Sequence, residues 1–161
     1  MPGKYHMRKA EREILDRDEL IGILKRGKFM TLALCSDNDP YAVTLSYGLD
    51  GSSMKLYFHS SFLGAKMDLL KRNGRVCGTV IEDLGYRSGE CSHRYRSVVV
   101  FGTMKQINNL GEKKWGMMTM FSHLEEDPDR MRERFLSRDA DYSGINVLEL
   151  VIDRLTGKES S

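Results

Sequence analysis

Cysteine is scarce in this chain of 161 residues: three are present, at positions 35, 77 and 91, and no CxxC pair occurs. That spacing excludes the common zinc and iron–sulfur frameworks, and an odd, sparse set offers no disulfide scaffold. No metal site is expected, and a reducing cytoplasm is the expected setting. No apolar run approaches the roughly 20 residues of a membrane span, and the polar N-terminus lacks the apolar stretch of a secretory signal. Neither sign of charge dominates: 25 Lys and Arg stand against 23 Asp and Glu, a formal net charge of +2. Acids and bases are mixed along the chain, without the basic stripe of a general nucleic-acid binder. The phosphate loop GxxxxGK[ST] and the dinucleotide fingerprint GxGxxG are both missing. Methionine is abundant, at ten residues, and reads as adaptable core filler.

The length suits one compact domain. Residues 1–12 are charged and aperiodic and predict a flexible N-terminal segment; residues 13–161 predict a single domain. Asp16 opens a short helix, with Glu19 three residues later completing a capping box and Gly27 as a stop. Phe29–Ser36 reads as a strand and DNDP as a turn. The next stretch alternates, with Tyr41, Val43, Leu45 and Tyr47 on one face and Ala42, Thr44 and Ser46 on the other. MKLYFHS returns as a third strand, so the first three strands read as a meander of hairpins. A helix carrying Leu63, Met67 and Leu70 on one face follows. Arg75–Glu82 is a strand, DLGYRSGECS a loop, and His93–Ile107 the longest strand, in which Gly102 marks a bulge or a close backbone approach. Two helical stretches come next, the second opened near Pro128, and Ile145–Ile152 is the last strand. About six mostly antiparallel strands with few helices predict an α+β fold: a mainly β, six-stranded barrel with peripheral helices.

The stretch YFHSSFLGAK, Tyr57–Lys66, begins as a strand and ends as the first turn of a helix. Amides at a helix start lack intrahelical partners, and the dipole there favours an anion. Ser60 and Ser61 add hydroxyls, Gly64 permits close approach to the backbone, Lys66 adds a positive charge, and His59 adds a ring nitrogen. Together they suit a phosphate. The same residues also serve as a plain N-cap, a solvated lysine and a strand histidine, and spacing alone leaves both readings open. Ala42, Thr44 and Ser46 form a small, partly polar strand face against which a flat cofactor could lie, or simply a wet face. In RYRSVVVFG, Arg94 and Arg96 share one strand face and could meet an anion, a partner subunit or solvent.

In this order, YFHSSFLGAK, RYRSVVVFGT and the late IDRLTGKE resemble the FMN-binding split-barrel superfamily of pyridoxamine 5′-phosphate oxidase. Within it, they are most similar to the nitroimidazole-resistance group. The likeness runs from about Arg12 to Glu159. It implies a split β-barrel that forms homodimers, with FMN at the subunit interface; related barrels bind haem or the deazaflavin F420. By the same resemblance, Val43, Thr44, Leu45 and Ser46 follow the flavin's pyrimidine edge. His59, Ser60 and Lys66 form the phosphate side, with Lys66 on the phosphate itself. Arg96 and Ser97 approach the flavin from the partner, and His59 is the catalytic candidate. The oxidase's pyridoxal-phosphate-binding set is missing from the C-terminal part, which disfavours pyridoxamine phosphate oxidation. The implied activity is reduction of a nitro-aromatic or related small molecule; the alternative is a non-catalytic flavin, haem or F420 carrier or sensor. No nucleic-acid or membrane partner is expected.

Overall fold

A computed structural model describes residues 7–161; residues 1–6 of the expected flexible segment lie outside the described residues. Besides two 3-10 segments, Ala10–Arg12 and Asp139–Gly144, the described residues form eight strands and four α-helices. The strands are β1 (Glu13–Ile14), β2 (Phe29–Ser36), β3 (Asp39–Ser46), β4 (Gly48–Asp50), β5 (Lys55–Ser60), β6 (Arg75–Arg87), β7 (Ser92–Ile107) and β8 (Asn146–Ser160). The helices are α1 (Arg17–Arg26), α2 (Ala65–Arg72), α3 (Leu110–Leu124) and α4 (Pro128–Phe135). Among the described residues, no helix is long and apolar enough to cross a membrane.

All ladders are antiparallel, in the order β3-β2-β6-β7-β8-β5-β4, with β1 added to β8. The first and last strands of that order, β3 and β4, are consecutive in the chain, so the sheet curls round until its two ends meet at Tyr47. The class is therefore the expected α+β barrel, with the strand count corrected from six to eight. One extra strand is the two-residue β1. The other arises because the single expected strand through YAVTLSYGL breaks at Tyr47. The N–H of that residue bonds the Lys28 carbonyl (3.3 Å), and its buried hydroxyl donates to the Leu24 carbonyl (2.5 Å). Before the break the strand pairs with β2, and after it with β5. The first three strands are thus a hairpin followed by a strand in another part of the barrel, not a meander. The β2–β3 turn has Asp37 and Asn38 at φ 52° and 63°, the left-handed pair of a type I′ hairpin.

Alternation along the strands fills the barrel. Met30, Leu32 and Leu34 of β2, Leu56 and Phe58 of β5, Val98 and Val100 of β7, and Leu148 and Leu150 of β8 all point inward and are buried. Burying each such side chain stabilises the fold by about 1.5–3 kcal/mol. Leu20, Ile23 and Leu24 of α1 and Met67 of α2 join the same core. Asp16 caps α1 through the Asp18 N–H (2.9 Å), but Glu19 leaves the expected capping box and pairs with Arg96 instead. Gly27 ends α1 at φ −64°, an ordinary conformation. Its role is steric: a Cβ there would meet the Tyr47 hydroxyl.

Three further expectations are corrected. Leu63 precedes α2 and is 79% exposed, so the helix buries Met67 without it. The expected loop DLGYRSGECS is largely strand: β6 runs on to Arg87 with an irregularity between Asp83 and Tyr86, and β7 begins at Ser92. The last strand runs eight residues past Ile152, because β7 pairs with it throughout. Gly102 behaves as expected: the β7–β8 register shifts between it and Phe101, and a Cβ would collide with the Val151 carbonyl. A second cluster lies outside the barrel, where Met117 and Met120 of α3 cover Tyr57 and Val147.

Candidate functional site

The corner that leaves β5 is built by strand parity. Leu56 and Phe58 face the core, so His59 points outward and is exposed, while Ser60 is half-buried at the strand end. Gly64 then starts α2 at φ 120°, a conformation that suits glycine, with nothing within 4 Å of where a Cβ would be. No side chain caps this helix. Lys66 is in its first turn, half-buried, and has no ion-pair partner among the described residues. The result is an open helix start beside an uncompensated ammonium and an exposed imidazole.

Asn146 fastens this corner from below, and it was not singled out in the sequence. It opens β8 directly opposite Ser60 and is fully buried. Its Nδ2 donates to the Ser61 carbonyl (3.0 Å) and lies 3.3 Å from both Ser60 Oγ and Met67 Sδ. Its Oδ1 is buried with no partner among the described residues. The available signal was an amide at the head of an otherwise apolar strand, INVLELVI. The same strand hides a second unnoticed polar residue, Glu149. Its buried carboxylate meets Lys55 (3.1 Å), Lys105 (3.5 Å) and the Tyr57 hydroxyl (3.2 Å). Burial first, and then the Glu149 charge, push the Tyr57 phenol well above its ordinary range.

Strand β3 also reaches this side of the barrel: it ends at Ser46, two residues before β4 pairs Gly48 with Tyr57, and β3 and β5 are in contact. Thr44 and Ser46 are exposed, whereas Val43 and Leu45 pack against the core. Of the four candidates, two side chains therefore face outward and two contribute backbone alone. Thr44 Oγ1 is 2.9 Å from Thr31 Oγ1 on β2, which continues the small polar face.

Arg96 and Ser97 are elsewhere. His59 lies opposite Val147 near the start of β8, but Arg96 lies opposite Glu159 and Ser97 opposite Lys158 near its end. The Arg96 guanidinium is held by Glu19 (2.7 Å) and Glu159 (3.3 Å), and Ser97 Oγ donates weakly to the Lys158 carbonyl (3.4 Å). One copy of the chain thus places His59, Ser60 and Lys66 at one corner, on a strand that β3 touches, and leaves Arg96 and Ser97 at the far end of the barrel. Tyr47, at the join of β3 and β4, is pure core: its ring lies 4.9 Å from that of His123.

Residues 16–159 match a family model described as pyridoxamine 5′-phosphate oxidase. The chain belongs to this family. This oxidase-family chain has solved relatives that share its fold. A candidate 5-nitroimidazole antibiotic resistance protein from Bacteroides thetaiotaomicron superposes with a TM-score of 0.78 at 24% identity, covering 91% of this chain and 85% of that one. A FAD and heme binding protein from Mycobacterium smegmatis superposes with a TM-score of 0.75 at 24% identity, covering 93% and 74%. An uncharacterized protein of Rhizobium meliloti is 28% identical over 94 residues, 58% of this chain; the match spans only 56% of that relative's length. The solved structures establish the split-barrel fold that the sequence motifs implied.

Proposed function

We propose that this chain is a flavin-binding redox protein, a reductase of nitro-aromatic or similarly electron-poor small molecules, with FMN held between two copies. The observation that carries the reading is the corner itself: an uncapped helix start, an ammonium without an ion-pair partner among the described residues, and an outward imidazole on a strand that β3 touches. The residues present fit a phosphate ester. Lys66 has no ion-pair partner among the described residues, and the space at Gly64 is open. Lys66, the hydroxyl of Ser60 and the α2 amides would hold the phosphate. Thr44, Ser46 and the backbone of Val43 and Leu45 would border the ring. Bound there, FMN would supply the electron transfer, while the chain orients it and manages protons. His59 is the residue placed to hold and deliver a proton at its ring nitrogen.

The two-copy reading is supported by the outer sheet face. Phe29 and Ile81 are each 63% exposed there, on adjacent strands with Thr31 and Thr79. A second copy would cover that apolar surface and bring its own Arg96 and Ser97 toward the flavin. The family match and the names of the solved relatives, which include both FAD and heme, support a cofactor site and leave its occupant to experiment.

Purified protein incubated with FMN is expected to retain a flavin spectrum and to reduce a nitro-aromatic when given a reductant. His59→Ala is expected to keep FMN and lose about 10²-fold in turnover. A Soret band in place of flavin absorbance would transfer the site to haem; bound flavin without turnover would make the protein a carrier or sensor. If neither flavin, haem nor F420 binds, the proposal fails.

A further inference from the structure

A cavity of about 410 Å3 opens between α3 and α4. Trp115 and Met118 of α3, Leu136 at the end of α4 and Tyr142 of the Asp139–Gly144 segment supply its apolar walls. No residue of the Lys66 corner and none of the outer sheet face lines it. Trp115 is the one tryptophan of the chain, and it is 58% exposed. Its neighbours in the helix face the barrel instead: a Cβ at Gly116 would meet Tyr57 and Val147, and Met117 is buried. An indole left open on the wall of a concave space is apolar area that a ligand would cover.

The walls are held in place by bonds that do not use the cavity. The indole Nε1–H donates to the Asp50 carboxylate (3.2 Å), which fixes the ring. Tyr142 is buried and bracketed by two consecutive lysines. The Lys113 ammonium donates to its carbonyl (3.1 Å) and to that of Ile145 (2.9 Å), and the Lys114 ammonium lies 5.8 Å from the centre of its ring. The Leu136 N–H bonds the Arg132 carbonyl (2.8 Å) and closes the end of α4. A site built this way loses little freedom when it is filled.

The charges on its rim select the ligand. Lys114 and Asp139 both line the cavity and cancel each other, 2.5 Å apart. Arg132 lines it too and makes no hydrogen bond among the described residues. Its nearest carboxylates, Asp129 at 3.8 Å and Glu133 at 4.0 Å, stand on its own helix beyond hydrogen-bond reach. One planar guanidinium with unfilled donors matches one carboxylate bidentately. The volume falls in the range of small-molecule sites. We propose that this cavity binds planar aromatic carboxylates. The ring lies against the Trp115 indole and the Met118 sulfur, and the carboxylate bonds Arg132. The site is separate from the Lys66 corner and does not rest on the function proposed above.

The test is titration of 2-naphthoate into the full chain, read by calorimetry and by the indole N–H resonance, which a chain with one tryptophan shows without ambiguity. Expected are one 2-naphthoate per chain and a saturable shift of that resonance. Binding should be about tenfold weaker for 2-naphthamide, which lacks the charge, and for cyclohexanecarboxylate, which lacks the aromatic ring. Arg132→Gln and Trp115→Ala should each weaken 2-naphthoate binding about tenfold. Lys66→Ala should leave it unchanged, and FMN-saturated protein should bind it equally well. The two cavity variants lie on different helices, and the comparison of ligands on the unaltered protein needs no substitution, so a misfolded variant does not end the test. Absence of saturable 2-naphthoate binding overturns the proposal, as does binding that leaves the indole resonance in place. An amide or a saturated acid that binds as tightly, or displacement by FMN, overturns it too. Binding retained in a protein that takes no flavin upholds this site and removes only the proposed function.

Discussion

His59 and Arg96 stand at opposite ends of β8, the first across from Val147 and the second across from Glu159. From 147 to 159 is about 40 Å of extended strand, too far for both to touch one small cofactor in a single copy. A site that uses both ends must be shared between copies. Mixing subunits tests this. Lys66→Ala and Ser97→Trp homodimers are each expected to bind FMN poorly, and a refolded mixture should regain binding, because a hybrid dimer carries one site with neither lesion. A mixture no better than its parents would refute the shared site.

Lys66→Ala separates binding from folding. The ammonium has no ion-pair partner among the described residues, so the melting temperature should stay within about 2 °C of the unaltered protein, as for a surface change of under 0.5 kcal/mol. FMN affinity should fall about tenfold or more with the charge-assisted bond gone. Flavin fluorescence quenching during titration reads the second effect, and a thermal scan the first.

Asn146→Ala is expected to be costly although the residue is distant from any reacting atom. The amide holds the Ser61 carbonyl and the Ser60 hydroxyl from a fully buried position. Its removal takes one donor from each group, leaving the Ser61 carbonyl to the Ser60 hydroxyl alone (2.9 Å), at a cost of about 0.5–1.5 kcal/mol. Urea unfolding would measure the loss. A weaker FMN affinity in the folded fraction would show that the corner has lost its shape as well as its stability.

His123 predicts an acid-side loss of stability. Burial lowers its pKa below the ordinary 6.5, and the Lys28 charge adds to this, against the opposing bond from its Nε2–H to the Gly27 carbonyl (2.6 Å). A base whose folded pKa is depressed binds fewer protons folded than unfolded, so its contribution is present above pH 6.5 and is lost as pH falls through the lower folded value. Unfolding free energy measured between pH 8 and pH 5 should decline, and His123→Gln, which keeps a donor for Gly27, should flatten that part of the profile. An unchanged slope would show that His123 does not control it.

Much of the fold is legible along the chain because alternation and capping are local. Phe29–Ser36 is a strand at the expected bounds, the Asp16 cap and Pro128 open helices, and Gly102 marks the bulge. What misleads is what depends on a partner distant in sequence. DLGYRSGECS looks like a loop, with its glycines and serines, but β6 and β7 stay paired as a hairpin arm as far as Arg87 and Ser92. The strand through Tyr47 looks continuous because its apolar alternation is unbroken; it divides because the tyrosine hydroxyl is claimed by α1. Asn146 and Glu149 were passed over because a polar residue in an apolar strand declares its partners only when Ser60, Lys55 and Tyr57 come alongside.

By itself, the order of residues determined the antiparallel α+β class, the strand-to-helix corner and the identity of its histidine, serine and lysine, since each depends on side-chain periodicity over a few positions. Only the tertiary structure decided that β3 touches β5, that Asn146 fastens the corner from β8, and that Arg96 is tied to two carboxylates at the far end of the barrel. Those facts are set by strand register and sheet closure, which join segments up to about a hundred residues apart and leave no local pattern to read.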